Sequence, residues 1–229
     1  MKLFSKTSPA ISFPIDTANP LKPTRAFLIE SGSALTLTTT LKDITPFVSD
    51  QLSTLSLGND GPGKDSSAAL TQLHSKAHAA SSSTTAPPSL TLTRPSRISL
   101  SWSAVDSSGT LVAELAGRLW SLGRQTVKFP AGSVHSSHDI PVYPAGTAAR
   151  ADLFVKDSVL YIWDVEDGMT LCRLWRAVDG SKTEVARFVG ANKRAKNGLL
   201  LVGEDESVDE VVVGMTCVAV LNRLDSFRA

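Results

Sequence analysis

Near the end of the chain an eleven-residue stretch has almost no polar face: Val211-Val212-Val213-Gly214-Met215-Thr216-Cys217-Val218-Ala219-Val220-Leu221. Ser207-Val208-Asp209-Glu210 precedes it and fits the capping box, in which a Ser or Thr is followed three residues later by Glu. Asp209 and Glu210 also suit the positive end of a helix dipole. Val and Gly are weak helix formers, but the cap and the polar Asn222-Arg223-Leu224-Asp225 tail favour a helix. A helix that is apolar all round must be buried all round. At 1.5 Å per residue the run is about 16 Å long, roughly half a bilayer core, so it is expected inside protein. A closed antiparallel sheet wrapped round it would bury every side and leave no exposed sheet edge.

The rest of the chain supplies strands for such a sheet. Arg25–Glu30 and Ala34–Leu41 flank the turn signal Ser31-Gly32-Ser33. Leu90–Thr93 and Arg97–Val105 follow, the latter with Ile98, Leu100, Trp102 and Ala104 alternating with serines, the period of a half-buried strand. Thr110–Ala116, Arg118–Leu122 and Gln125–Phe129 read as further strands, and a loop with Pro130, Pro141 and Pro144 comes next. Ala151–Val155, Val159–Val165, Met169–Ala177 and Lys182–Val189 are separated by Lys156-Asp157-Ser158, Glu166-Asp167-Gly168 and Asp179-Gly180. Asp-Gly between alternating apolar runs is a strong hairpin signal, so Val159–Val189 is expected to be an antiparallel meander, with Gly198–Val202 as the last strand.

Two segments stand apart. Residues 1–24 read as an extended N-terminal arm, with Pro14, Pro20 and Pro23. Residues 58–89 are rich in Gly, Ser and Ala, with too little apolar surface to offset ordering entropy. This segment is expected to be a mobile low-complexity insertion, with a short helix near Ala68–His78, in a single domain spanning 25–229.

The residues Val159-Leu160-Tyr161-Ile162-Trp163, Leu171-Cys172-Arg173-Leu174-Trp175-Arg176, Val185-Ala186-Arg187-Phe188 and Val208-Asp209-Glu210-Val211-Val212-Val213, in that order, resemble a fungal domain family of unknown function in the tubby C-terminal-like superfamily. Ile98-Ser99-Leu100-Ser101-Trp102 is similar to that family's earlier tryptophan-ended strand. The resemblance covers residues 90–229 well and 25–57 loosely. The terminal helix departs from it in having fewer acidic and aromatic residues. The resemblance implies a mainly β fold, a tubby-like closed barrel of twelve antiparallel strands around a buried C-terminal helix. The superfamily also contains phosphoinositide-binding and scramblase-like proteins, but fold alone does not give function.

Charge is balanced, 23 Lys and Arg against 22 Asp and Glu, which gives no general affinity for nucleic acid. The N-terminus lacks the continuous apolar core of a signal peptide, and no apolar run reaches the length of a membrane span. The expected location is therefore cytoplasmic, or peripheral to a membrane, and the expected state monomeric. Cys172 and Cys217 sit in apolar runs and read as buried thiols; whether they ever pair stays open.

Motifs that resemble chemistry are each outweighed by a simpler reading. Gly58-Asn59-Asp60-Gly61-Pro62-Gly63-Lys64 starts like a P-loop, but Asp65 stands where a Ser or Thr must hold Mg²⁺. His135, His138 and Asp139 lie in a Ser- and Pro-rich loop with no further ligand for a structural metal. There is no Gly-x-Ser-x-Gly, and Glu204-Asp205-Glu206 reads as a solvated turn. No catalytic residue, cofactor or metal is assigned. The densest basic cluster, Lys193, Arg194 and Lys196 with Arg187 nearby, is the one functional lead. It points to contact with anionic phospholipid, for instance phosphoinositide head groups, at about 1 kcal/mol per basic residue. The sequence thus points to a non-enzymatic binding or scaffold module. Its rivals are an enzyme of unfamiliar type and a barrel carrying a small apolar ligand.

Overall fold

The computed structural model describes residues 13–16, 19–31, 37–58, 64–83, 88–96, 99, 101–117, 123–145, 150–166, 170–191, 197–205 and 209–226, with backbone only at 64–67, 82–83 and 226. Twelve strands form one closed antiparallel barrel. They are β1 (Pro23–Ser31), β2 (Thr38–Asp43), β3 (Leu90–Thr93), β4 (Ser101–Asp106), β5 (Leu111–Gly117), β6 (Gln125–Lys128), β7 (Ile140–Pro144), β8 (Ala151–Lys156), β9 (Val159–Glu166), β10 (Leu171–Val178), β11 (Ser181–Gly190) and β12 (Gly198–Gly203). Each strand pairs with its neighbours in sequence, and β1 closes the ring on β12 through Phe27 opposite Leu200. Three helices accompany them: α1 (Thr45–Thr54), α2 (Lys64–Ser83) and α3 (Glu210–Ser226).

Helix α3 is the expected C-terminal helix, packed inside the barrel. Every residue from Val212 to Leu221 but Gly214 and Thr216 is apolar and buried, and together they form one cluster with inward side chains of the strands, among them Phe27, Leu115, Phe154, Trp163 and Phe188. Several polar groups of this interior are paired. Trp163 Nε1 donates to Thr216 Oγ1 at 3.1 Å, and Gln125 Nε2 donates to the Ala219 carbonyl at 2.7 Å. Asp152 and Arg223 form a buried ion pair, with Arg223 Nε donating to Asp152 Oδ2 at 3.0 Å. The cap is two residues later than a Ser207 cap would require. Asp209 Oδ1 accepts the Val212 N–H at 3.0 Å and the Asp209 carbonyl accepts the Val213 N–H, so Asp209 is the N-cap. Ser207 lies outside the described residues.

The meander forms as the turns require. Asp157 and Ser158 both have positive φ, as do Asp179 and Gly180. Each pair is a two-residue loop of the type whose twist matches that of the strands it joins. The expected strand at 118–122 falls outside the described residues, as do 34–36 of the second expected strand. In the proline-containing loop a strand, β7, was not anticipated. Pro141 and Pro144 remove two ladder donors, so its pairing is short: three partners on β6 and two on β8.

One expectation outside the barrel wall needs correction. The 58–89 segment has the helix expected near Ala68–His78, but a longer one that packs on the barrel. It carries the twenty-residue α2, which with α1 covers the outer face of β1 and β12. Leu70, Leu73 and Ala77 of α2 are buried there against Leu28, Leu199 and Leu201. The N-terminal arm also touches the wall. Lys182 N donates to the Pro14 carbonyl and Asp16 N to the Lys182 carbonyl, and Phe13 packs on Leu153, Ile162 and Trp175.

Candidate functional site

In an antiparallel barrel whose strands follow one another in sequence, successive connections open at alternate ends. The connections β1–β2, β3–β4, β5–β6, β7–β8, β9–β10 and β11–β12 share one end; the intervening connections and the entry to α3 share the other. The charges sort by end. Among the described residues the first set carries Arg94, Arg124 and Arg150; Arg97, Arg118, Lys193, Arg194, Lys196 and the acidic Asp167 belong to the same connections by sequence and lie outside the described residues. At the second end, leaving aside the long 44–89 segment on the outer wall, the connections carry Asp139, Asp157, Asp179, Glu204, Asp205, Glu206 and Asp209 and no basic residue. The connections of a chain of net charge +1 are thus basic at one end, the basic pole, and acidic at the other, the acidic pole, where strand residues pair with carboxylates: Lys156 with Asp157, Arg176 with Asp205 and Arg25 with Glu210.

Three residues of the basic pole have described side chains. Arg124 and Arg150 are exposed and Arg94 is half-buried. Arg94 lies over the Trp102 ring at 5.1 Å and Arg124 over the Tyr143 ring at 6.0 Å, so each aromatic face braces a guanidinium. Lys193, Arg194 and Lys196 lie outside the described residues. Their connection leaves β11 at Gly190 and enters β12 at Gly198, which are register partners. The acidic pole holds the start of α3, where Asp209 caps the helix and Glu210 pairs with Arg25. A helix N-terminus is a site of partial positive charge, which these carboxylates complement.

Arg187 does not belong to the basic pole, and its assignment as a lipid contact is corrected. It is 1% exposed on the outer wall of β11. Its Nε and Nη2 each donate to one Glu184 carboxylate oxygen at 2.6 Å, and Nη2 also donates to the Gly58 carbonyl at 3.2 Å. A regular strand would point residues three apart to opposite faces. Here Trp175 faces Glu184 while Leu174 faces Ala186, so Val185 is an extra residue in β11. The bulge turns Val185 and Ala186 both inward and leaves Glu184 and Arg187 together outside. Arg173, the cross-strand partner of Arg187, is 3.3 Å from Glu166 through Nε. Burial raises the Glu184 carboxyl above its usual range, opposed by the two hydrogen bonds and charge of Arg187.

Beside these residues lies a cavity of about 450 Å³, between α2 and the outer face of β10 and β11. Leu70, His74 and Ser75 line it from α2, and Glu166, Leu171, Arg187 and Val189 from the wall. Its lining continues to Gly190 and Ala191, the first residues of the basic β11–β12 connection.

The remaining sequence candidates have structural roles. His135 Nδ1 is 3.0 Å from Asp209 Oδ2, so it braces the cap of α3 rather than standing free in solvent. Asp205 pairs with Arg176 at 2.9 Å. Cys172 and Cys217 are free and buried; burial pushes the Cys172 thiol up to about 12 and raises Cys217 as well, which makes both poor nucleophiles. Among the described residues no three His, Cys, Asp or Glu side chains could hold a metal together, and no helix is long and apolar enough to cross a membrane.

The 193–196 cluster was visible in sequence because its members are adjacent. The contribution of Arg94, Arg124 and Arg150 was not, because their proximity exists only once the strand order is known. The available signal was a partial alternation of basic and acidic turns along the chain, broken at Asp167.

No family model matches this chain, and no characterised protein matches it in sequence. Among solved structures, the X-ray structure of a protein from Arabidopsis thaliana is similar over 92% of this chain and 97% of that one, with 11% identity and a TM-score of 0.42. That likeness contributes nothing to the functional reading.

Proposed function

We propose that this protein is a non-enzymatic binding module that docks on anionic phospholipid head groups through the basic pole of its barrel. The observation that carries the reading is the sorting of charge between the two ends. Basic connections converge on one end although the chain as a whole is nearly neutral. Each basic residue near an anionic surface contributes about 1 kcal/mol, so a cluster on several connections gives firm docking where three residues alone would give weak docking. The opposite, acidic end is repelled by the same surface and fixes the orientation. The proposed kinship with the fungal tubby-like family, on the residues that carry that resemblance, is in keeping with a binding module. The lead through Lys193, Arg194 and Lys196 is kept; Arg187 is withdrawn from it.

Co-sedimentation with vesicles tests the reading. Phosphatidylcholine vesicles containing phosphatidylserine or a phosphoinositide are expected to pellet the protein at low salt and to release it at high salt, as screening shortens to about 3 Å at 1 M. Phosphatidylcholine alone should not pellet it. The triple variant K193A/R194A/K196A should weaken partitioning about a hundredfold, the sum of three contributions of about 1 kcal/mol. Equal pelleting by neutral vesicles, or a triple variant that binds like the parent, would overturn the proposal.

A further inference from the structure

We propose that the end of the barrel opposite the basic pole carries an apolar docking surface for a basic amphipathic helix of a partner protein. It is built from other residues than the basic pole and does not depend on the docking reading. Outside the arm and the outer-wall helices, the described large apolar side chains that stand exposed are Leu111, Val134, Val155, Val178 and Tyr143. The first four lie in or beside the connections of the acidic end, and Tyr143 lies beside those of the basic end. An apolar side chain exposed singly needs no explanation, whereas several gathered at one place mark an interaction surface.

Val134, in the β6–β7 connection, is 91% exposed, and its loop is firmly held. Gly132 takes a positive φ, and the Ser133 N–H donates to the Pro130 carbonyl at 3.0 Å. The His135 N–H donates to Ser133 Oγ at 3.2 Å, and the His135 ring is tied to Asp209. Ser136 is buried; its Oγ donates to the His138 carbonyl at 2.7 Å and accepts the His138 N–H at 3.2 Å. The ordering entropy of this tip is thus already lost in the free protein, and such preorganisation favours binding.

The apolar surface continues onto neighbouring turns. A hydrogen bond from Lys156 lowers the Asp157 carboxyl, and the charges of Lys156 and His138 add to this, so the Val134 loop lies near the β8–β9 turn. Val155 is the register partner of Leu160, and Leu160 of Ala177, the residue before Val178. Two strand spacings, about 10 Å, separate Val155 from Ala177. Two helical turns rise about as far, so a helix with apolar residues at i, i+3 and i+7 spans this distance on one face.

Charge selects among apolar partners. Asp139 and Asp179 are exposed and have no ion-pair partner among the described residues. The bases of the adjoining strands are engaged: Lys156 with Asp157, Arg176 with Asp205 and Lys182 with Asp164, while Lys128 stands opposite Glu114. The free carboxylates repel an anionic membrane and match Lys or Arg beside the apolar face of a helix, a complementarity that sets specificity and association rate.

Amide NMR titration of the full chain tests the proposal. The probe is a synthetic helix of two joined copies of Lys-Leu-Ala-Lys-Leu-Ala-Lys. Its controls carry Glu for every Lys, or Ser for every Leu. The basic amphipathic peptide should give saturable shifts centred on the 130–139 loop and the β8–β9 and β10–β11 turns. Both controls should bind at least about tenfold more weakly. Val134→Ser, at a position too exposed to endanger the fold, should weaken the peptide about tenfold, the loss of one buried valine side chain. Asp139→Asn/Asp179→Asn should weaken it about fivefold and flatten its salt dependence; Asn tolerates the positive φ of position 179. No saturable shifts, a control that binds as tightly as the basic peptide, or parental affinity in Val134→Ser would each overturn the proposal. So would self-association, or pelleting by neutral phosphatidylcholine vesicles, that Val134→Ser abolishes; these would give the surface to a second copy or to a membrane. Docking on anionic vesicles should be unchanged in Val134→Ser, so the two proposals fail separately.

Discussion

Glu184 and Arg187 meet on the outer wall because β11 holds one residue more than its partner strand. Both are buried, and each satisfies the other in a two-pronged pair. The energetic consequence is asymmetric. Removing one member of a buried pair strands the other charge and costs about 3–5 kcal/mol, while replacing both with apolar groups of similar volume is often neutral. Arg187→Met is therefore expected to lower stability in urea melts by about 3 kcal/mol, and Glu184→Met/Arg187→Met to recover most of that loss. The single variant also carries a pH signature. Burial already raises the Glu184 carboxyl, and without Arg187 only the charge of Arg173 opposes it. A carboxyl raised in the folded state binds its proton more tightly there than in the unfolded chain. Its contribution is favourable below the unfolded pKa and is lost as pH rises through the folded value. The deficit of Arg187→Met should thus shrink as pH falls toward the ordinary glutamate range and grow toward neutrality. A deficit independent of pH would show that Arg187 acts through packing and its Gly58 contact instead.

Among the elements, α3 fits its surroundings closely at one glycine. A Cβ placed on Gly214 would come within 2.6 Å of Leu41 Cδ2. Alanine there would gain up to about 1 kcal/mol of helix propensity, but Leu41 is 2% exposed in the closed interior and has little room to yield. Overpacking costs about 1–3 kcal/mol, so Gly214→Ala should be destabilising on balance. In the Leu41→Ala background the same change should become neutral or stabilising, a coupling that a double-mutant cycle of urea melts would read directly. Additive single effects would place the constraint elsewhere. Elements such as α3 and the β9–β11 meander were legible because their signals are local: an all-round apolar run after a cap, and Asp-Gly between alternating strands. The full length of α2 was not legible because, among its described residues, only Leu70, Leu73 and Ala77 join the buried cluster on the wall, a thin stripe in an Ala- and Ser-rich sequence that by itself gives little reason to fold. Its burial comes from β1 and β12, which are remote in sequence. The same remoteness hid Arg187. Read locally it is a basic strand residue near a basic tip, and only the bulge and the covering α1–α2 connection place it inside.

On the scale of the whole molecule, the antiparallel order does for charge what the pleat does for hydrophobicity: it sorts an alternating sequence onto opposite sides. Screening at physiological ionic strength acts over about 8 Å, so only charges at the docked end should matter for a surface-bound state. Changes at single positions can therefore map the bound orientation without a structure of the complex. Arg124→Ala and Arg150→Ala, on different connections of the basic pole, should each weaken partitioning onto anionic vesicles about fivefold, the equivalent of about 1 kcal/mol. Glu204→Gln, exposed at the acidic pole, changes the net charge by the same amount as removing one acid anywhere else. If docking responded to net charge alone, it would strengthen binding as much as each arginine change weakens it. If docking is through the basic pole, it should leave partitioning within a factor of two. Co-sedimentation of the three variants at one fixed salt concentration separates these cases. A Glu204→Gln effect equal and opposite to the arginine effects would reduce the polarity of the barrel to an incidental feature of its turns. A position-dependent response would make the strand order itself the device that turns a neutral chain into an oriented, surface-seeking one.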